Sequence, residues 1–263
     1  MTRADLPIGV FDSGIGGLTV VRALRRILPE ESIVYLGDTA RVPYGSKSHE
    51  TIQRYALQAG NILARHQPKL MVVACNTASA HGLAALQAAA PCPVIGVIEP
   101  GAEAAAAEPG PVGVIGTLAT IQSGAYEDAI RRRNPDAVVH SLACPLLVSF
   151  AEEGWLDDPI TDAVCRRYLN QIPFEVRTVV LGCTHYPVLL PSLARTRPGT
   201  TWLDSGELTA KVVDQMLQGR LGYRTASASG SLRILLTDAG SRLREVGERF
   251  LAEPLESVEL VDL

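Results

Sequence analysis

The 263-residue sequence has no uninterrupted apolar run near the roughly 18 to 20 residues that a membrane-spanning helix needs. Its start, Met1 to Pro7, carries Arg3 and Asp5 and lacks the apolar stretch of a signal peptide, so a cytoplasmic protein with no membrane partner is expected. Basic excess is missing too. A formal net charge of -4 argues against the basic footprint of a nucleic-acid binder. The basic run Arg131-Arg132-Arg133 follows a helix-like stretch and reads as a solvated helix end. The five cysteines contain no Cys-x-x-Cys pair and the histidines no His-Glu-x-x-His helix, so no metal is expected. An odd number of thiols without an export signal favours the reduced state. Lysines number three, Lys47, Lys69 and Lys211, none beside a phosphate-binding pattern, so a pyridoxal phosphate Schiff base has no visible site and no cofactor is expected.

What is present is a repeat. Val72-Val73-Ala74-Cys75-Asn76-Thr77 resembles Val179-Val180-Leu181-Gly182-Cys183-Thr184-His185. Upstream, Ile8-Gly9-Val10-Phe11-Asp12-Ser13-Gly14 is echoed by Val112-Gly113-Val114-Ile115-Gly116-Thr117-Leu118, at an offset of roughly one small domain. Apolar runs of strand length alternate with helix-period stretches, which predicts parallel sheets with helices on both faces. The expected architecture is α/β, two similar domains related by a pseudo-twofold, with the active site between them. Residues 1–98 plus 208–263 form the first domain, the C-terminal strand and helix returning to it, and residues 99–207 form the second. Helices are expected over 78–90 and 102–107, with Glu99-Pro100-Gly101 marking the change of domain.

In open parallel sheets ligands bind at the carboxyl ends of the strands. Two facing halves would put one thiol on each side of a ligand, as a reaction needing an acid on one face of a carbon and a base on the other requires. Cys75 alone reads equally as a small core residue. Its position, where a strand gives way to a helix, predicts a lowered thiol pKa, and Cys183 repeats that position. Asp12 is either a helix cap or a carboxylate that assists the thiol. His185 is either structural or a proton partner for Cys183. Tyr44-Gly45 lies on a long loop that could close over a ligand. Glu152-Glu153-Gly154 is a weak signal taken alone. In Gly14-x-Gly16-Gly17 the third glycine is misplaced for a dinucleotide loop, though its backbone could bind a small carboxylate.

Together, Asp12-Ser13-Gly14-Ile15-Gly16-Gly17, Pro43-Tyr44-Gly45, Ala74-Cys75-Asn76-Thr77-Ala78, Glu152-Glu153-Gly154 and Leu181-Gly182-Cys183-Thr184-His185-Tyr186-Pro187 resemble the glutamate racemases of the cofactor-independent aspartate/glutamate racemase superfamily. The resemblance implies interconversion of L- and D-glutamate, which feeds peptidoglycan synthesis. It implies proton transfer by Cys75 on the D-enantiomer and Cys183 on the L-enantiomer, Asp12 supporting the first and His185 with Glu152 the second. It implies substrate contacts from Asp12, Ser13, Tyr44, Gly45, Asn76, Thr77, Thr184 and His185, with Asp38 and Thr117 nearby, and a homodimer. Histidine after Cys183-Thr184 is the form of the glutamate enzymes, aspartate racemases usually carrying Glu there. Val148-Ser149-Phe150 departs from the proline-containing version usual before Glu152. The alternatives are a racemase for aspartate, a thiol hydrolase using Cys183 with His185, and a bilobed amino-acid binding protein.

Overall fold

The computed structural model describes residues 2–225 and 229–263. Among them the strands are β1 (Ile8–Asp12), β2 (Ile33–Gly37), β3 (Leu70–Val73), β4 (Val94–Gly96), β5 (Val112–Gly116), β6 (Val139–Ala143), β7 (Thr178–Gly182), β8 (Thr201–Asp204), β9 (Leu232–Leu236) and β10 (Val258–Leu260). They form two sheets, ordered β10-β9-β2-β1-β3-β4 and β6-β5-β7-β8, with every pairing parallel. The order β2-β1-β3-β4 recurs as β6-β5-β7-β8, so the repeat seen in the sequence is a repeat of topology. β9 and β10 extend the first sheet beyond β2.

The helices are α1 (Leu18–Ile27), α2 (His49–Ala64), α3 (Asn76–His81), α4 (Leu83–Ala89), α5 (Ile98–Ala107), α6 (Leu118–Gln122), α7 (Ala125–Arg133), α8 (Leu146–Glu153), α9 (Pro159–Leu169), α10 (Leu190–Thr196), α11 (Ser205–Met216) and α12 (Leu243–Leu251). Among the described residues no helix is long and apolar enough to cross a membrane.

Strand alternation decides which helix covers which face. Ile8 and Val10 of β1, with Ile33 and Tyr35 of β2, pack under Leu18, Val21 and Leu24 of α1 and Phe250 of α12. Phe11, Val34 and Leu36 turn to the other face and meet Ile52, Ala56 and Leu63 of α2. All of β1, β2, β3, β5 and β7 is buried, as central strands covered on both sides must be. The second sheet behaves alike: Val112, Val114 and Val180 face α5 and α7, while Val179 and Leu181 face α8, α9 and α10. Leu18 and Leu24 of α1 belong to the same apolar cluster as Val179, Leu181 and Leu147 of the second half, so the two halves are fused through one apolar core.

Several boundaries differ from the sequence reading. The helix expected over 78–90 is two helices, broken at Gly82 where a Cβ would collide with Ala56 of α2. The helix expected from 102 begins at Ile98, because Pro100 sits in the first turn, where its missing N–H costs nothing. The sequence reading also missed α6, α8, α10, β8 and β10, all short.

Candidate active site

Parallel register determines which side chains meet at the strand ends. Phe11 of β1 is opposite Val73 of β3, so one step further the turn after Asp12 stands beside Cys75. Cys75 Sγ donates to Ser13 Oγ at 3.3 Å and, as the N-cap of α3, accepts from Ala78 N–H at 3.4 Å. Asp12 is fully buried; its Oδ2 accepts from Gly14 N–H at 2.9 Å, while Oδ1 has no partner among the described residues. Burial pushes the Asp12 carboxyl up, against the charge of His185 and the N–H groups of Gly14, Gly17 and Ser13. The Cys75 thiol is not lowered as its helix N-terminus predicts. Burial first, and then the Asp12 charge, push it up to about 12, outweighing the Ser13 and Ala78 hydrogen bonds.

In the second sheet Gly116 pairs with Gly182, which brings Thr117 level with Cys183. Cys183 does not repeat the helix N-terminus: a 3-10 turn, Tyr186–Leu189, follows it, and the neighbour it gains is His185. His185 Nδ1 lies 3.8 Å from Cys183 Sγ, and Nε2 lies 3.1 Å from Glu152 Oε1 at the end of α8. The ring packs edge-on against Phe250 of α12, centroids 5.1 Å apart. Burial alone would lower its pKa, but hydrogen bonds and charge interactions with Cys183 and Glu152 push it up to about 10. His185 in turn holds the Glu152 carboxyl below the ordinary glutamate range.

Polar contacts between the halves surround these thiols. Thr19 Oγ1 donates to the Thr184 carbonyl at 2.9 Å, and Tyr126 Oη donates to Asn76 Oδ1 at 2.7 Å. The Thr77 hydroxyl is 3.0 Å from those of both Thr117 and Thr120. Asn76 Nδ2 is a second buried polar atom without a partner among the described residues. The glycines after Asp12 are steric necessities: a Cβ at Gly16 would run into the His185 ring and Thr184 Oγ1, and one at Gly17 into the Asp12 side chain. Together with Thr19 they let the β1–α1 turn close against the opposite half.

Tyr44-Gly45 is not a free loop. It forms a short 3-10 turn, Tyr44–Ser46, whose phenol is buried between Phe11 and Tyr55 and donates to Asp38 Oδ2 at 2.5 Å. The Tyr44 side chain is thus committed to Asp38, and what approaches the other half is Gly45, whose added Cβ would stand 3.2 Å from Thr117. Asp38 also accepts from Arg41 Nε at 2.6 Å and from Thr237 Oγ1 at 3.0 Å. The sequence reading missed Thr120, Tyr126 and Phe250. None had a local signal, since each matters only through a contact with the opposite half or the returning C-terminal segment.

Two buried thiols at the ends of equivalent strands, one beside a carboxylate and one beside a histidine, are groups able to take up and give up protons from opposite sides of a ligand. The sequence model of the Asp/Glu/Hydantoin racemase family matches residues 9–213. The chain belongs to this family. A glutamate racemase of Geobacter metallireducens is 48% identical over 260 residues, covering 97% of this chain and 96% of that one. One of Chlorobaculum tepidum is 47% identical, covering 99% and 97%. Among solved structures, glutamate racemase of Francisella tularensis in complex with D-glutamate superposes with a TM-score of 0.93 at 39% identity, covering 98% of each chain. That of Thermus thermophilus in complex with β-chloro-D-alanine has a TM-score of 0.91 at 44% identity, covering 99% and 98%. As a family member the chain is a racemase with two parallel α/β halves.

Proposed function

We propose that this racemase interconverts L- and D-glutamate by a two-base proton transfer in which Cys183 serves the L-enantiomer and Cys75 the D-enantiomer. The observation that carries the reading is the pair of buried thiols at the strand ends of the two halves, Cys75 against Ser13 and Cys183 against His185. Inversion needs a base on one face of the α-carbon and an acid on the other, because a single base tends to return the proton to the face it left. From L-glutamate, the Cys183 thiolate, with the His185 imidazolium beside it, removes the α-proton. The Cys75 thiol delivers its own to the opposite face, leaving Cys183 protonated and Cys75 as thiolate. The reverse reaction starts from the state this one leaves and exchanges the roles; for repeated turnover in one direction, solvent takes the proton from Cys183 and returns one to Cys75.

The α-proton of an amino acid is weakly acidic, so the site must stabilise the carbanion by preorganised polar groups in a dry environment. The orphaned Asp12 Oδ1 is an acceptor for the substrate ammonium, and the orphaned Asn76 Nδ2 a donor to its carboxylate. Ser13, Thr77, Thr184, His185 and the Tyr44-Gly45 backbone complete the lining. The division into residues 1–98 plus 208–263 and 99–207 belongs to the same reading, as do the homodimer, the cytoplasmic location and the supply of D-glutamate for peptidoglycan. The curated and solved glutamate racemases, with D-glutamate in the Francisella complex, support glutamate over aspartate.

Incubation of reduced protein, stripped of any bound small molecule, with L-glutamate in deuterated water tests this. The expected outcome is decay of optical rotation toward zero with one solvent deuterium at the α-carbon of the D-glutamate formed. No exchange with either glutamate enantiomer, alongside exchange with aspartate, would replace the substrate; no exchange with either amino acid would end the reading.

A further inference from the structure

A second cluster of titratable groups lies outside the catalytic cleft. His49 begins α2 and His81 ends α3, and their Nδ1 atoms are 3.1 Å apart with the rings edge-to-face at 80°. His81 Nε2 lies 3.3 Å from the carbonyl oxygen of Ala119 in α6. A carbonyl only accepts, so Nε2 carries the proton and Nδ1 of the neutral ring is a bare lone pair facing His49.

A ring with one nitrogen fixed by a backbone carbonyl and the other free is the arrangement of a metal-ligating histidine. An ion at about 2.0 to 2.1 Å from both Nδ1 atoms would subtend an N–metal–N angle of about 100°, between the octahedral and tetrahedral values. His49 is exposed and His81 half-buried, so small side-chain rotations suffice to aim both lone pairs. We infer that His49 and His81 form a binding site for a divalent transition-metal ion of the Zn²⁺, Co²⁺ and Ni²⁺ class. Imidazole nitrogens favour these ions over Mg²⁺ or Ca²⁺. Among the described residues no group of three or more His, Cys, Asp or Glu side chains converges, so the protein supplies two ligands and water the rest. Binding moves the proton that His49 Nδ1 donates to His81 in the metal-free pair onto His49 Nε2, through solvent, so that both Nδ1 lone pairs face the ion. The ion would tie α2 to α3, the helix that Cys75 caps, and through His81 to α6 of the opposite half.

Co²⁺ titration of the tag-free full chain, followed by absorbance and calorimetry, tests the site. The expected result is one ion per chain, without the sulfur-to-cobalt charge-transfer band that thiolate ligation produces, and with affinity weakened at least about tenfold in H49A and in H81A. Circular dichroism checks that both variants fold, and H49Q repeats the test at the exposed position. A thiolate band would assign the ion to the cysteines, and binding unchanged in H49A would place it away from this pair; either would overturn the proposal. So would no binding at about 1 mM Co²⁺.

Discussion

Cys75 and Cys183 leave equivalent strands of equivalently ordered sheets, yet the first meets a buried carboxylate and the second a histidine backed by a carboxylate. On the Cys75 side burial and the Asp12 charge favour the neutral thiol. On the Cys183 side the partner is a cation at neutral pH. The fold repeats one strand-end design twice, and the turns that follow give the two copies different electrostatic surroundings. A reaction that must read the same forwards and backwards is thus housed in a site that is not symmetric.

Removing either sulfur should have the largest effect. Cys75→Ser and Cys183→Ser are each expected to lower kcat for both directions by about 10³-fold or more, since a positioned acid or base contributes about 10² to 10⁴ and serine is a poor base. Polarimetry from each pure enantiomer checks this, and inversion retained in either variant would leave a single-base site. Next, Asp12→Asn removes the charge beside Cys75 and is expected to cost about 10²-fold. Enantiomers have equal free energy, so kcat/KM must fall equally in the two directions; the contrast between the halves is expected in kcat, its drop larger from D-glutamate, with KM for D-glutamate falling in proportion. An equal drop in both kcat values would remove the asymmetry drawn here.

The histidine side should show in pH. His185 has a folded pKa raised to about 10 from an ordinary 6.5. Its contribution to stability is therefore fully present below about pH 6.5 and lost as pH rises through 10. Thermal unfolding of His185→Asn and wild type should converge above pH 10 and separate toward pH 6, with wild type the more stable. The alkaline limb of kcat should flatten in the variant. Curves that stay parallel across this window would mean a neutral ring. The smallest effect is expected from Glu152→Gln: its side chain is half exposed, so the pair with His185 is screened. Loss of about 0.2 to 1 kcal/mol, or roughly 1.4- to 5-fold in kcat, with the alkaline limb moved to lower pH, is the expected outcome.

The strands flanking the cysteines were legible because each is a short, wholly buried apolar run, and their repetition exposed the two-half architecture. Asp12 and Cys75 came with them, being strand-end residues of neighbouring parallel strands. Glu152 was legible only as an acidic pair: the helix that carries it, α8, is short, and its meaning rests on a contact with His185 thirty-three residues away. The direction of the Cys75 pKa was misread, since a sequence reveals the helix N-terminus but not the depth of burial that opposes it. Tyr44 read as a mobile loop residue because its commitment to Asp38 is a tertiary fact.

The strand order of the first sheet also bears on synthesis. The second sheet draws its four strands from one continuous stretch, Val112 to Asp204, and is complete as soon as that stretch leaves the ribosome. The first is not. Until Leu232–Leu236 has been made, β2 carries a bare edge, the kind of surface that recruits other chains. The half that is translated first is therefore finished last. For the time that more than a hundred further residues take to emerge, at roughly 5 to 20 residues per second, a nascent chain of this protein displays one open edge of a strand that ends up central.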